Sequence, residues 1–216
     1  MMDTFEIDRM KMVAEQIMAR GLREPRLLAA FESVPRHLFV PEDYRHHAYA
    51  DGPLPIGFGQ TISQPYIVAL MTHLLELTGD ECALEVGTGS GYQAAILSRL
   101  AAEIHTVEIV PELAAQAEKI LQALDCQNVH CHLADGSLGW TASAPYDAIM
   151  ATAAAPSVPR PLLDQLAQGG RLILPVGDRS FQELEVWRRE GEEFSRRSGI
   201  GVAFVPMRGK YGWKGR

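Results

Sequence analysis

Three glycines at alternate positions form the part of the sequence most typical of a ligand-binding loop. Gly87, Gly89 and Gly91 lie in the run LEVGTGSGY, which covers residues 84–92. Glycine lets the backbone turn tightly and approach a ligand closely, and a helix that begins after the loop offers unpaired N–H groups. The Gly-x-Gly-x-Gly spacing differs from the Gly-x-Gly-x-x-Gly spacing that holds a dinucleotide pyrophosphate. The loop therefore favours a cofactor without a pyrophosphate, although a purely structural turn could contain the same glycines.

Two carboxylates end the next two predicted strands. Glu108 follows the strand of residues 104–107, about twenty residues beyond the glycine loop, where a carboxylate can accept hydrogen bonds from both hydroxyls of a ribose. Asp135, followed by Gly136, ends the strand of residues 129–133 and is placed to bind a base amine. Each residue alone is more typical of a solvated turn. Together they predict an adenosine ligand, and S-adenosylmethionine fits best.

The elements that must position these residues alternate between short apolar strands and helices. Such alternation predicts right-handed β-α-β crossovers and an α/β fold, a doubly wound, Rossmann-like, mainly parallel seven-stranded sheet with helices on both faces. Ligands bind beyond the carboxyl ends of the strands in such a sheet. Two final segments without a helix between them, residues 183–188 and 201–206, predict an antiparallel C-terminal hairpin. The other predicted strands are residues 82–86, 104–107, 129–133, 146–151 and 171–175, and the helices are residues 92–100, 111–124 and 159–166.

The first third of the chain predicts an N-terminal helical extension. A helix is expected over residues 8–20, with Gly21 as its stop, and a short one from Pro25. A stretch rich in proline and glycine follows, and then an amphipathic helix that ends at Gly79. We expect a single domain over residues 1–216, in which residues 1–78 form helices and a substrate or lid loop and residues 79–210 form the cofactor-binding core.

Composition excludes several classes of protein. Hydrophobic residues make up 47% of the chain and charged residues 22%, which is typical of a soluble globular protein. The formal charge of −7 leaves no broad basic surface, so no nucleic acid is expected as partner. Charged residues among the first twenty exclude a signal-peptide core or membrane span there. We expect a cytoplasmic protein that has no membrane partner and is a monomer.

The three cysteines are expected to be reduced and mostly buried, because their number is odd. Cys126 and Cys131 could be drawn with His130 and His132 as a metal cluster. Alternate residues of a strand point to opposite faces, however, so these side chains should not converge. No metal site is predicted.

Nearly the whole sequence resembles a known group of methyltransferases. The run of residues 84–92, with Glu108 and Asp135-Gly136, resembles the class I S-adenosylmethionine-dependent methyltransferases. The run PIGFGQTISQP of residues 55–65, together with Val34-Pro35-Arg36, is similar to the protein-L-isoaspartate O-methyltransferase family in particular. The similarity extends to three further segments, residues 145–149, residues 169–177 and Val205-Pro206.

The resemblance implies transfer of a methyl group from S-adenosyl-L-methionine to the α-carboxyl of an L-isoaspartyl residue in a damaged protein or peptide, leaving S-adenosyl-L-homocysteine. The ester then closes to a succinimide, whose hydrolysis restores some normal aspartyl linkage. A carboxylate is already ionised at neutral pH, so the displacement needs no strong general base. Alignment of the carboxylate oxygen, the methyl carbon and the sulfur can supply most of the acceleration.

The resemblance also implies roles for individual residues. Ser63 is expected to orient the substrate carboxylate through its hydroxyl, although a serine at this position is also a good helix N-cap. Gln60, Thr61 and Ile62 are expected to close over the methionine part of the cofactor. The other expected cofactor contacts are Glu85, Gly87, Thr88, Gly89, Ser90, Gly91, Glu108, Asp135 and Gly136.

Several alternatives remain open at this level. Arg36 could pair with a substrate carboxylate or hold the loop of residues 34–58, which itself either forms a peptide groove or packs on the sheet. His46 and His47 are expected at the surface. A methyltransferase of the same fold acting on RNA or a small metabolite, a nicotinamide-dependent oxidoreductase and a non-catalytic binding module are alternative functions.

Overall fold

The N-terminal region of the computed structural model, which describes residues 3–214, is helical. Helix α1 (Thr4–Lys11) continues through a π-helical turn (Met12–Ile17) and a 3-10 turn (Met18–Arg20), and Gly21 at φ +96° ends it. This confirms the predicted helix and extends its start to Thr4. Helix α2 (Pro25–Ser33) begins with a proline, which suits the first turn, where the N–H group would have no acceptor.

The segment rich in proline and glycine contains short ordered elements. Two 3-10 turns (Arg36–Phe39 and Glu42–His47) are followed by strands β1 (Leu54–Gly57) and β2 (Gln60–Ile62), which form a separate antiparallel pair. The sequence did not predict this hairpin, because each strand is too short for a periodic pattern. Helix α3 (Pro65–Leu74) comes next and ends five residues before Gly79, the predicted stop.

The large sheet has seven strands and confirms the predicted fold class. Its order is β5-β4-β3-β6-β7-β8-β9. The first five strands in this order pair in parallel, whereas β7 pairs with β8, and β8 with β9, in antiparallel fashion. The strands are β3 (Cys82–Val86), β4 (Glu103–Glu108), β5 (Val129–Leu133), β6 (Tyr146–Ala151), β7 (Leu166–Gly177), β8 (Gln182–Glu190) and β9 (Glu193–Val202).

Hydrophobic side chains cover both faces of this sheet. The connecting helices are α4 (Tyr92–Leu97), α5 (Pro111–Ala123) and α6 (Arg160–Asp164). The larger core lies under the N-terminal helices, α4 and α5, and every residue of α4 is buried. The smaller core, on the other face, contains Leu162 and Leu163 of α6. No helix among residues 3–214 is both long and apolar enough to cross a lipid bilayer.

The position of the last strand corrects one prediction. The hairpin is antiparallel as expected, but its second strand is Glu193–Val202 rather than residues 201–206. A tight turn at Gly191 pairs Glu190 with Glu193. Because β9 is mostly exposed and carries polar side chains, it lacks the apolar alternation that marks a strand.

Candidate active site

A cavity opens at the carboxyl ends of β3, β4 and β6, where ligands bind in sheets of this type. The empty space that it encloses, including its open mouth, is about 880 Å³. Gly91 and Asp135 are the predicted site residues that do not line it. Those that do are Gln60, Thr61, Ile62, Ser63, Glu85, Gly87, Thr88, Gly89, Ser90, Glu108 and Gly136.

The glycine loop is held by the strand that lies next to it. Thr152, just after β6, donates its hydroxyl hydrogen to the carbonyl oxygen of Gly87 at 2.6 Å. Gly87 has φ +99°, and a Cβ atom there would lie 2.5 Å from Thr152 Oγ1. Only glycine fits this conformation and this approach. Gly91 has a different role, because a Cβ atom there would meet Ala117 of α5 at 3.1 Å, so its glycine allows α5 to pack closely.

Glu108 is fixed by main-chain donors on both of its oxygens. Oε2 accepts a hydrogen bond from Gly89 N at 2.8 Å, and Oε1 accepts from Ile109 N and Val110 N at 2.9 Å each. The carboxylate therefore ties the end of β4 to the glycine loop and borders the cavity with a defined orientation. Contact with ribose hydroxyls stays a prediction, and the remaining lone pairs of the carboxylate suit it.

Glu85 is a fully buried carboxyl group at the floor of the cavity. Thr106 Oγ1 donates to its Oε2 at 2.6 Å, while no described residue hydrogen-bonds its Oε1. The pKa of Glu85 is raised to about 8. Burial is the main cause, the Thr106 hydrogen bond opposes it, and the nearby charge of Glu108 adds to the rise. The group is therefore mostly protonated at neutral pH, with one buried oxygen left for a polar group of a ligand.

Asp135 lies beside the cavity but faces the C-terminal segment. Its Oδ1 accepts from the backbone N and the hydroxyl of Ser137, at 3.0 and 2.6 Å, and its Oδ2 accepts from Lys210 N at 2.8 Å. Gly136 and Ser137 line the cavity in its place. The contact of Asp135 with a base amine therefore remains a prediction. It would require the carboxylate to accept a hydrogen bond from the ligand in addition to those from Ser137 and Lys210.

Ser63 lies in the wall of the cavity opposite the glycine loop. The N-cap of α3 is Gln64, and no side chain caps that helix, so the alternative role of Ser63 as a cap is not found. Its side chain is half-buried, and none of the residues 3–214 hydrogen-bonds its hydroxyl. The hydroxyl is available to a ligand in the cavity.

Arg36 holds the backbone next to Ser63. The guanidinium is fully buried and donates from Nε to Ala48 O and from Nη2 to Ser63 O, each at 2.7 Å. It also lies over the Tyr92 ring, 4.8 Å from its centre. Burial lowers the pKa of Arg36 to about 10, which still leaves it charged at neutral pH. Of the two roles that the sequence allowed, the structure shows the one in which Arg36 holds the loop.

The C-terminal segment forms a wall of the cavity, which the residue pattern did not predict. Val205, Pro206, Met207 and Arg208 line the cavity. Met207 N donates to Ala154 O at 2.8 Å, and Arg208 reaches the carbonyl oxygen of Phe58 in the β1–β2 turn at 3.3 Å. The similarity of Val205-Pro206 to the methyltransferases was the one signal that pointed here.

As predicted, His46 and His47 are exposed, and they do not line the cavity.

Comparison with known proteins gives consistent results. Residues 8–212 match the family model for protein-L-isoaspartate(D-aspartate) O-methyltransferase. A protein-L-isoaspartate O-methyltransferase of Trichlorobacter lovleyi is 54% identical over 99% of both chains, and one of Methanoregula boonei is 54% identical over 96% of this chain and 95% of its own.

Two solved structures share the fold. A protein-L-isoaspartate O-methyltransferase superposes with a TM-score of 0.87 and 27% identity, over 94% of this chain and 67% of its own. A Plasmodium falciparum protein solved in complex with S-adenosyl-L-homocysteine superposes with a TM-score of 0.80 over 93% of this chain and 98% of its own. Its identity of 22% supports the fold alone.

Proposed function

The chain belongs to the protein-L-isoaspartate(D-aspartate) O-methyltransferase family, and we propose that it methylates the α-carboxyl group of L-isoaspartyl residues in damaged proteins and peptides. S-adenosyl-L-methionine is the methyl donor, and S-adenosyl-L-homocysteine is the product. The observation that carries the proposal is the shared cavity, which is lined both by Gly87 and Gly89 of the glycine loop and by Ser63, the residue after β2.

The residues around the cavity fit the methyl donor. Gly87 and Gly89 line the cavity with main-chain atoms alone, and Glu85 Oε1 is a buried polar atom without a described hydrogen-bond partner. We assign Glu108 to the ribose hydroxyls, Gly136 to the base and Gln60, Thr61 and Ile62 to the methionine part. S-adenosyl-L-methionine supplies an electrophilic methyl group there.

The protein contributes position rather than proton transfer. The carboxylate oxygen attacks the methyl carbon, the carbon–sulfur bond breaks, and its electron pair stays on sulfur, so no proton has to move. We assign to the Ser63 hydroxyl a hydrogen bond to the second carboxylate oxygen, which turns the attacking oxygen towards the methyl group. Arg36 acts through Ser63, because it holds the carbonyl oxygen of that residue at 2.7 Å.

The released ester explains how methylation starts repair. The backbone nitrogen that follows the damaged residue attacks the ester carbonyl, methanol leaves, and a succinimide forms. Hydrolysis of the succinimide restores some normal aspartyl linkage. Succinimide formation needs no enzyme residue, since the carbonyl of the neutral ester is far more electrophilic than that of the negatively charged carboxylate, which would also have to lose oxide rather than methoxide.

The test is methyl transfer to a synthetic isoaspartyl peptide, with the matching aspartyl peptide as control. We expect base-labile methyl esters on the isoaspartyl peptide alone. Equal activity on both peptides would disprove the repair function, whereas binding of the methyl donor without any transfer would indicate a non-catalytic module.

We also propose how the chain is organised and where it works. Residues 79–210 would bind the methyl donor and residues 1–78 the damaged peptide, within one domain. The three unpaired cysteines, Cys82, Cys126 and Cys131, are consistent with a reducing compartment such as the cytoplasm. A monomer without nucleic-acid or membrane partners is the simplest assembly for this activity, and light scattering of the purified protein measures it.

A further inference from the structure

A second cluster of reactive side chains lies at the amino-terminal half of the same strands. Cys82 Sγ, a carboxylate oxygen of Glu103 and an imidazole nitrogen of His105 all lie within 4.8 Å of one another. His130 on the neighbouring strand adds its Nε2, which is 3.2 Å from Glu103 Oε1. Glu103 is five residues before Glu108 on β4, so it is about 16 Å along the strand from this residue of the cavity wall.

Strand register brings these side chains together. Cys82 pairs with Glu103, and His105 pairs with His130, so all four project from one face of the sheet. Cys131 projects from the other face, where it packs against the larger core. This cluster does not include Cys126 or Cys131, the cysteines considered from the sequence. Its residues come from three separate strands, so no linear motif reveals it.

His105 provides the second observation that points to a ligand. The residue is 5% exposed, and its Nδ1 lies 3.0 Å from His132 Nε2, to which it is hydrogen-bonded. Its Nε2 has no hydrogen-bond partner among the described residues, although Glu103 Oε1 is 3.4 Å away. A buried ring nitrogen is therefore aimed into the cluster without a hydrogen bond, and such a nitrogen is costly to leave unsatisfied.

We propose that Cys82, Glu103 and His105 bind a divalent transition-metal ion, with Zn²⁺ as the best match and His130 as the fourth ligand. Thiolate, imidazole and carboxylate are the ligands of zinc in proteins, and four protein ligands are typical of a structural site. Zinc–ligand distances of about 2.0–2.3 Å place tetrahedral ligand atoms about 3.3–3.8 Å apart, so Cys82, Glu103 and His105 need to close by about 1 Å. His132 would orient His105 from behind, as outer hydrogen-bond partners of ligating histidines do.

The charge around Cys82 favours a cation. Asp147 lies beside it, since its Oδ2 accepts from Cys82 N at 3.0 Å. Two carboxylates, Glu103 and Asp147, thus lie next to Cys82 at this end of the sheet. The ion would tie together β3, β4 and β5, away from the methyl-transfer cavity.

Cobalt titration of the purified full chain tests the proposal. We expect one Co²⁺ per chain, with a near-ultraviolet thiolate-to-cobalt absorption band and the intense visible bands of a tetrahedral site, both displaced by Zn²⁺. Cys82→Ser should abolish the charge-transfer band. Cys131→Ser is the matched control, because this cysteine is also half-buried and lies on a strand of the same sheet, but projects from the opposite face, and the band should remain.

A second variant keeps the test decisive if Cys82→Ser is unstable. Glu103 is exposed, so Glu103→Gln should fold normally, which circular dichroism verifies, and should weaken Co²⁺ binding at least about 10-fold. No saturable Co²⁺ binding by the native chain, a band that survives in Cys82→Ser, or an unchanged affinity in Glu103→Gln would each overturn the proposal. Methyl transfer is measured separately without added metal, so a failure of Co²⁺ binding and a failure of methyl transfer can be told apart.

Discussion

The two walls of the methyl-transfer cavity are built in different ways. The wall proposed to bind the donor consists of the loop after β3, which the neighbouring strands hold in place. Gly87 N donates to Val107 O, Gly89 N donates to Glu108 Oε2, and Thr152 donates to Gly87 O. The wall proposed to bind the acceptor ends in Ser63, beside a hairpin separate from the large sheet. Its backbone is tied to the rest of the protein by one buried side chain, Arg36.

This difference indicates where each wall is vulnerable. A wall made of main-chain atoms tolerates many side-chain changes but fails where a side chain cannot fit, at Gly87. A wall held by one guanidinium fails when that group is removed. The four predictions that follow test this contrast, from the largest expected effect to the smallest.

Arg36→Ala should destabilise the protein most. It leaves the carbonyl oxygens of Ala48 and Ser63 without their donor and opens a void beside Tyr92, so we expect a loss of about 4 kcal/mol in the free energy of unfolding, measured with urea. Arg20→Ala is the control, because the Arg20–Asp51 ion pair anchors the same segment from an exposed position and should contribute less than about 1 kcal/mol. Equal losses would contradict the special role of Arg36.

Glu85 should make the donor wall sensitive to pH. Its pKa is about 8 in the folded protein and near 4.5 when unfolded, so the folded state holds a proton that the unfolded state has lost between these values. Stability should therefore fall as pH rises from about 5 to about 8, by on the order of 3 kcal/mol. Arg36, whose pKa is about 10, stays charged throughout this range.

Glu85→Gln is the variant that isolates this effect. It cannot titrate, so its free energy of unfolding should decline less with pH than that of the native chain when both are measured by urea denaturation at a series of pH values. Parallel curves for the two proteins would show that Glu85 is not protonated in the folded state.

Gly87→Ala should weaken binding of S-adenosyl-L-methionine about 100-fold, measured by calorimetry, since the new methyl group collides with Thr152 Oγ1 at φ +99°. Gly89→Ala is the matched control in the same loop. Its φ of +53° is one that other residues can adopt, and the nearest atom to its Cβ would be Ile56 Cδ1 at 3.5 Å, so we expect less than about a 10-fold loss. Equal losses would mean that the loop as a whole, rather than the Gly87 contact, controls affinity.

Ser63→Ala should have the smallest effect and only on turnover. Loss of one hydrogen bond to a charged substrate corresponds to about a 10-fold lower kcat, while the Kd of S-adenosyl-L-methionine should stay within about twofold. Ser63→Thr keeps the hydroxyl and should restore part of the rate. A weaker Kd with unchanged kcat would place Ser63 at the donor instead of the acceptor.

The same contrast explains what the sequence could predict. The parallel strands, the glycine loop and Glu108 follow from local periodicity and from the rule that ligands bind at the carboxyl ends of strands, and the structure confirms their placement at the cavity. The hairpin and β9 were missed because short or exposed strands show no apolar alternation. The role of Arg36 depends on contacts to residues 12 and 27 positions away, which no local pattern encodes.

Asp135 illustrates a further limit. Its position at a strand end was predicted correctly, but its carboxylate is held both by Ser137, two residues later, and by Lys210, 75 residues later. The C-terminal segment could be placed only by similarity, since its contacts are with the strand ends and the β1–β2 turn rather than with its own neighbours.

The C-terminal wall also has a consequence for when activity can begin during synthesis. The cavity is lined by residues from Gln60 to Arg208, and Met207 must reach Ala154 before the wall closes. Chains are made from the amino terminus, so the donor loop and the hairpin segment can fold while this wall is still missing. A growing chain therefore has no complete cavity, and the capacity to methylate arises only after residue 208 has left the ribosome.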